Sequence, residues 1–198
     1  MNSSLCSKCR TFRNTKYTVM DSINKNQPEE NHKDLDSKEA VKKIREMAEQ
    51  SGACFFSTNS AEGESGGTRP MAPQKIDEFG NLWFLSAKDS HKNKEIAKDP
   101  FVKLYFQGSA HSDFLFLKGR AHISVDKARI KELWSPILKV WFTEGVDDPR
   151  ITIIKVEPSE GYYWDNKHGN VVASIKMLAG AVMGKTLDDS IEGKITPP

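Results

Sequence analysis

The chain has 198 residues, 37% hydrophobic and 28% charged, with 29 basic against 27 acidic side chains. This gives room for one ordinary domain with its own core, too apolar for disorder throughout and too evenly charged for nucleic acid to be the main partner. The longest uncharged apolar stretches, such as Met177–Met183, fall far short of the roughly 20 residues a membrane helix needs, which excludes a helical membrane span.

Residues 1–36 read as a flexible polar leader. Lys8, Arg10, Arg13 and Lys16 stand there without an acid in the first twenty residues, so the rest of the chain is slightly acidic. The segment lacks the apolar stretch of a secretory signal, and its Ser-rich, acid-free composition is only weakly like a transit peptide. A start at Met20 would make residues 1–19 an extension without a folded role. Three cysteines, Cys6, Cys9 and Cys54, are an odd and sparse set that points to a reducing, cytoplasmic setting. Cys6-Ser-Lys-Cys9 lacks the second ligand pair a zinc site requires.

The folded domain is expected over residues 37–166. Asp36 and Glu39 resemble a capping box, and Ala40, Val41, Ile44, Met47 and Ala48 recur at helical spacing, predicting a helix that ends at Ser51-Gly52. Six short runs bounded by turn residues then predict strands: Ala53–Thr58, Thr68–Ile76, Leu82–Ser86, Phe101–Gln107, Phe114–Val125 and Ile151–Val156. The Gly/Ser/Glu loop from Asn59 to Gly67 and the turn at Asp77–Asn81 would join the first three as an antiparallel meander. Asn93–Lys98 reads as a short helix stopped by Asp99-Pro100, and Asp126–Trp134 as another broken by Pro136. A helix around Val172–Met183 and a weak terminal strand or tail fill residues 167–198. Strands joined mostly by hairpins, with helices at the edges, predict an antiparallel barrel with α+β decoration rather than a dinucleotide-binding sheet.

Ala179–Thr186 fits a relaxed phosphate-loop pattern, but a helical segment precedes it and only twelve residues follow Thr186, so a helix-ending glycine is the better reading. His32, His91, His111, His122 and His168 lack metal-ligand spacing, and no nucleophile motif occurs. No catalytic residue is assigned. Any reactive group would come from a cofactor. The informative set is Arg69, Ser86 and Ser90-His91-Lys92, on successive strands and the turn into a short helix. Arg offers a planar fork to phosphate, Lys a point charge, and hydroxyls with free helix amides complete an oxygen shell. Taken singly, Ser90 reads as a cap and Lys92 as a solvated lysine; taken together they read as an anion site.

From about Ser37 to Lys185 the chain also carries, in order, Thr68-Arg69-Pro70-Met71, Leu82–Ser86, Asp89–Lys92 through Ile96 and Pro100, Glu132–Pro136, Trp141–Gly145 with Asp147-Asp148-Pro149, Tyr163-Trp164-Asp165 and Lys176–Gly180. This string resembles the pyridoxamine 5′-phosphate oxidase-like flavin-binding split barrels, in particular their general stress protein branch. The resemblance implies an antiparallel split β-barrel with peripheral helices, a homodimer, and FMN, or FAD, at the subunit interface. It implies that Arg69, Ser86, Ser90, His91 and Lys92 surround the phosphate, with His91 standing where the family has an arginine. Met71 and Gln74 would lie along the isoalloxazine, Phe84 and Leu85 beside it on the next strand, Trp164 at the ring and Trp141 over the dimer or cofactor mouth. The vitamin B6 oxidases carry a C-terminal arginine and histidine segment, whereas no arginine follows Arg150, so that activity is not expected. The reading is a flavin-dependent oxidoreductase of unnamed substrate. The alternatives are a non-catalytic flavin-binding or storage module, or a split barrel for haem or a deazaflavin.

Overall fold

Helix α1 (Ser37–Ser51) forms where the 3–4 spacing predicts it, and its Ala40, Val41, Ile44, Met47 and Ala48 are all buried. Gly52 ends it in the left-handed region (φ 68°), donating its amide to the Ala48 carbonyl. The expected capping box is absent: Asp36 occupies the cap position in extended geometry, but its side chain makes no cap hydrogen bond. The computed structural model describes residues 31–59, 67–109, 113–168, 176 and 189–198. The expected helix at Val172–Met183 lies outside the described residues apart from Lys176, as does Cys6-x-x-Cys9.

Among the described residues, nine strands build one mostly antiparallel, open sheet: β1 (Leu35–Asp36), β2 (Cys54–Thr58), β3 (Thr68–Met71), β4 (Lys75–Ile76), β5 (Leu82–Ala87), β6 (Phe101–Gln107), β7 (Phe114–Ser124), β8 (Ile151–Asn166) and β9 (Ser190–Thr196). Their order is β1-β9-β8-β7-β6-β2-β3, with β5 on β8 and β4 on β5. Strand β8 is the hinge of the architecture. One edge pairs with β7 from Ile153 to Trp164, and the other is shared, Ile151–Val156 taking β5 and Gly161–Asn166 taking β9. This shared edge splits the barrel.

Three expectations change here. The run Thr68–Ile76 is two strands, β3 pairing antiparallel with β2 and β4 antiparallel with β5 as the meander expects, while the other edge of β5 pairs with β8. Strand β8 runs ten residues beyond Val156 because Pro158, which lacks an amide donor, sits where β5 has ended and β9 has not begun, beside a register shift at Lys118/Gly119. The C-terminal residues are an internal strand: β9 lies between β8 and β1, the latter parallel to it with Leu35 buried. The last residues of the expected leader therefore belong to the sheet.

Helix α2 (His91–Lys98) caps the sheet near β2 and β7. Helix α3 (Lys127–Leu133), capped by Asp126 accepting from the Ala128 and Arg129 amides, leads into 3₁₀ turns at Pro136–Val140 and Gly145–Asp147. The main core lies between α1 and the inner sheet face, around Ile44, Phe56, Phe84, Leu104, Leu117 and Ile154. A smaller core under α3 gathers Leu85, Ile130, Leu133, Leu138, Phe142, Ile151 and Ile153. Among the described residues, no helix is long and apolar enough to cross a membrane.

Candidate functional site

Alternation along β3 turns Arg69 to the inner face, in register with Phe56. At this sheet edge the guanidinium meets α2 instead of core. Arg69 Nη1 donates to Thr58 Oγ1 (2.9 Å) and Nη2 to Glu95 Oε2 (2.8 Å), while Thr58 Oγ1 donates to the same Glu95 oxygen (2.5 Å). The three side chains close a ring. Thr58 is 2% exposed, so the ring is anchored on a buried hydroxyl. Burial works to raise the Glu95 carboxyl, but hydrogen bonds from Thr58 and Arg69 and the Arg69 charge outweigh it and hold the group below its ordinary range. Gly67 makes room for the ring: a Cβ there would stand 1.7 Å from Arg69 Nη2.

Lys92 occupies the second turn position of α2, half-buried. Its pKa is lowered, first by desolvation and then by the positive charge of Arg69. Among the described residues it makes no hydrogen bond and no ion pair, although Asp89 and Glu95 act on it at longer range. Two cations that repel each other beside a helix N-terminus, one of them desolvated and without a direct partner, suit an oxyanion such as phosphate. His91 is exposed at the start of the helix, near enough for its charge to act on Glu95.

The two serines are placed differently from a direct oxygen shell. Ser86 is buried, donating to Asn93 Oδ1 (2.8 Å) with Ser90 Oγ 3.2 Å away. Asn93 Nδ2 donates to Thr152 Oγ1 (2.8 Å), which donates to the Ser86 carbonyl (2.9 Å). Ser90 caps α2, its Oγ accepting from the Asn93 amide. Ser86 thus fastens α2 to β5 and β8, the floor beneath Lys92, rather than facing a ligand.

Phe84 is fully buried, edge-to-face with Phe56 at 5.4 Å, and Leu85 belongs to the smaller core. Their side chains are therefore unavailable to a ligand. Their backbone is another matter: β4 covers only Leu82 and Trp83, and from Phe84 to Ala87 that edge of β5 carries no strand among the described residues. Gln74 closes the β4–β5 junction through its amide to the Trp83 carbonyl (2.7 Å), with its side-chain amide on the Ala72 carbonyl. Met71 packs against the main core.

The two candidate tryptophans stand in different places. Trp164 is half-exposed on β8, its ring 4.6 Å from that of Tyr162, and lines a groove of about 500 Å³ with Tyr105, Phe114, Phe116 and Asn166. Between it and Arg69 stand β7, β6 and β2, so the chain does not bring the two together. Trp141 is 63% exposed beside the 3₁₀ turns, its carbonyl accepting from Arg150 (3.3 Å). Arg150 in turn clamps buried Asp148 through Nε (3.0 Å) and Nη2 (2.7 Å), and these hydrogen bonds hold the Asp148 carboxyl at about 2.

Next to the Trp164 groove, Pro70, Phe55, Tyr105, Phe116 and Tyr162 stand in register across β3, β2, β6, β7 and β8 on the outer face. Phe55 is 59% exposed, and Tyr105 stacks on Phe116 at 5.1 Å.

Sequence reasoning missed Thr58, Gly67, Asn93, Glu95 and Thr152. Glu95 carried a signal, being the only acid in α2 between three lysines and one turn beyond the cations. Nothing in the sequence marked Thr58 or Thr152, whose partners lie up to 66 residues away.

A family model described as "Pyridoxamine 5′-phosphate oxidase like" matches residues 39–188. General stress protein 26 of Bacillus subtilis is 32% identical over 83 residues, covering 40% of this chain and 58% of that protein. The chain spans about six tenths of the length of the curated relatives it matches. A crystal structure of a general stress protein 26 candidate from Jannaschia sp. CCS1 superposes with a TM-score of 0.64 at 22% identity, covering 79% of this chain and 97% of that one. The general stress FMN/FAD binding protein from Xanthomonas citri superposes with a TM-score of 0.54 at 22% identity, over 63% of this chain and 87% of that one. The split-barrel fold is shared.

Proposed function

Because this chain belongs to the pyridoxamine 5′-phosphate oxidase like family, we propose that it is a flavin-binding general stress protein that holds FMN at the interface of a homodimer and serves as a cytoplasmic oxidoreductase. The observation that carries this reading is Lys92: a desolvated ammonium without an ion-pair partner among the described residues, pushed down further by Arg69. A phosphate monoester between these two would relieve the repulsion and satisfy both. The fold's relative from Xanthomonas citri, named for FMN/FAD binding, supports the same ligand class.

When bound, a flavin supplies hydride or electron transfer at its ring. The protein binds, orients and excludes water. Arg69 and Lys92 hold the phosphate, with His91 adding charge when protonated. The Phe84–Ala87 edge of β5 offers backbone groups to the polar rim of the ring, with Met71 and Gln74 alongside. The aromatic row Phe55–Tyr105–Phe116–Tyr162 supports a second copy as its cover, and a second copy would bring Trp164 to the ring from which three strands of its own chain separate it.

A second reading, flavin storage without turnover, uses the same residues. Titration of the purified protein with FMN, followed by flavin fluorescence, tests binding: saturable quenching is expected, and its absence contradicts the proposal. Steady-state oxidation of NADH or NADPH by the loaded protein then separates oxidoreductase from store, since only the former turns over.

A further inference from the structure

We propose that Glu95 is a positioning residue for phosphate recognition, fastening Arg69 so that one edge of its guanidinium is spent on the protein and the other is presented to the ligand. The inference rests on the flavin-phosphate reading above. A guanidinium has two bidentate edges, the terminal Nη1/Nη2 edge and the lateral edge containing Nε. Here the terminal edge is taken, Nη1 by Thr58 and Nη2 by Glu95, and Thr58 itself donates to Glu95. The ring fixes the plane of the guanidinium before any ligand arrives. The lateral edge with Nε is left for a ligand, and Lys92 lies near enough for the two charges to act on each other.

Two further features point the same way. Gly67 packs where a side chain would displace the ring: an added Cβ would stand 1.7 Å from Arg69 Nη2 and 3.2 Å from Glu95 Oε1. Thr58 is buried, so the clamp is referenced to the rigid β2 strand rather than to a mobile surface group. An arginine left to rotate would lose that freedom on binding, and holding it in advance removes the cost. Glu95 also contributes a negative charge close to the site, which works against the ligand. Its net effect is therefore the difference between an ordering gain and a charge penalty, and substitution separates the two.

The test compares FMN with riboflavin, which lacks the phosphate, by fluorescence titration of the wild-type chain and the variants Glu95→Ala, Glu95→Gln and Gly67→Ala, with thermal protection by inorganic phosphate as a flavin-independent readout. Glu95→Ala and Gly67→Ala are expected to weaken FMN at least tenfold, the scale of a lost charge-assisted hydrogen bond, with riboflavin affinity unchanged. Glu95→Gln keeps an acceptor and drops the charge, so it is expected to bind FMN at least as tightly as wild type. Tighter or unchanged FMN binding by Glu95→Ala would overturn the positioning role, as would equal losses for FMN and riboflavin. Should wild type bind no flavin, the flavin reading fails by itself. Phosphate protection present in wild type and lost in Glu95→Ala would still support the clamp, and its absence from wild type would overturn it.

Discussion

Two rows of side chains, one residue apart on the same five strands, meet opposite fates. The inner row runs Arg69, Phe56, Leu104, Leu117 and Gly161; the outer row runs Pro70, Phe55, Tyr105, Phe116 and Tyr162. Phe56, Leu104 and Leu117 are fully buried under α1, whereas Phe55 and Tyr105 are exposed. The two rows are both largely apolar, but along β6 and β7 the outer face also carries Lys103, Gln107, Lys118, Arg120 and His122 where the inner face carries Val102, Phe106, Leu115 and Ala121, and this alternation decides which face is covered. The inner face is completed by the chain's own helices, and it ends at the β3 edge in a charged residue that α2 meets with Glu95. The outer face is completed by nothing in the described chain. The exposed aromatic row is the surface on which the proposed second copy would pack.

The largest expected effect tests the inner row. Phe56→Ala should cost about 3–5 kcal/mol by leaving a cavity against Phe84, whereas Phe55→Ala, one residue along, should leave the stability of the isolated protomer within about 0.5 kcal/mol. Chemical denaturation of both variants at low protein concentration checks this. Next, the outer row is broken by Tyr105→Glu, which would place a charge in the aromatic patch. The expected result is a shift from dimer to monomer in light scattering, with the circular dichroism of the fold unchanged.

Lys92→Ala and Arg69→Ala should each weaken FMN by about 1–3 kcal/mol, the range for losing one charge-assisted hydrogen bond, with little change in thermal stability for Lys92→Ala. The pH dependence is smaller. Asp148 is held at about 2 by the hydrogen bonds of Arg150. Asp189 is held at about 2 because bonds from Lys176 and His168 outweigh a burial that works to raise it. Both folded values lie below the ordinary 3.8, so their contribution is fully present above pH 4 and is lost as pH falls from about 4 towards 2. The melting temperature should drop across that window, and Asp148→Asn with Asp189→Asn should flatten the drop. Smallest of all is the surface pair Lys118–Glu160 on the outer face, 2.6 Å apart but 48% and 60% exposed, whose removal should leave the melting temperature unchanged, and equally so in high salt.

Periodicity made α1, α2, α3 and most strand positions legible, because local spacing and turn residues dictate them. The extent of β8 was not, since Pro158 looks like a terminator until its neighbours show an edge with no strand to pair. The place of β9 depends on pairing with Gly161–Asn166 and with Leu35–Asp36, contacts that no local pattern encodes. At the site, Arg69 and Lys92 stood out as cations on a strand and a helix start, and the structure sets them against each other. Ser86 and Ser90 were read as oxygen donors to a ligand, and their hydroxyls are instead spent on Asn93, which only the fold brings to them. Phe84 and Leu85 face core, as the alternation about Ser86 would allow but not require. Trp164 and Arg69 share one family pattern yet stand with three strands between them in one chain, a separation that only the sheet order reveals.

The most direct test of the central claim is a paired titration of the purified protein with FMN and riboflavin, on wild type and Lys92→Ala. The expected result is saturable binding of FMN by wild type, a clear preference over riboflavin, and loss of most of that preference in Lys92→Ala. Equal affinity for both flavins, unaltered by the substitution, would contradict a phosphate cradle at Arg69 and Lys92.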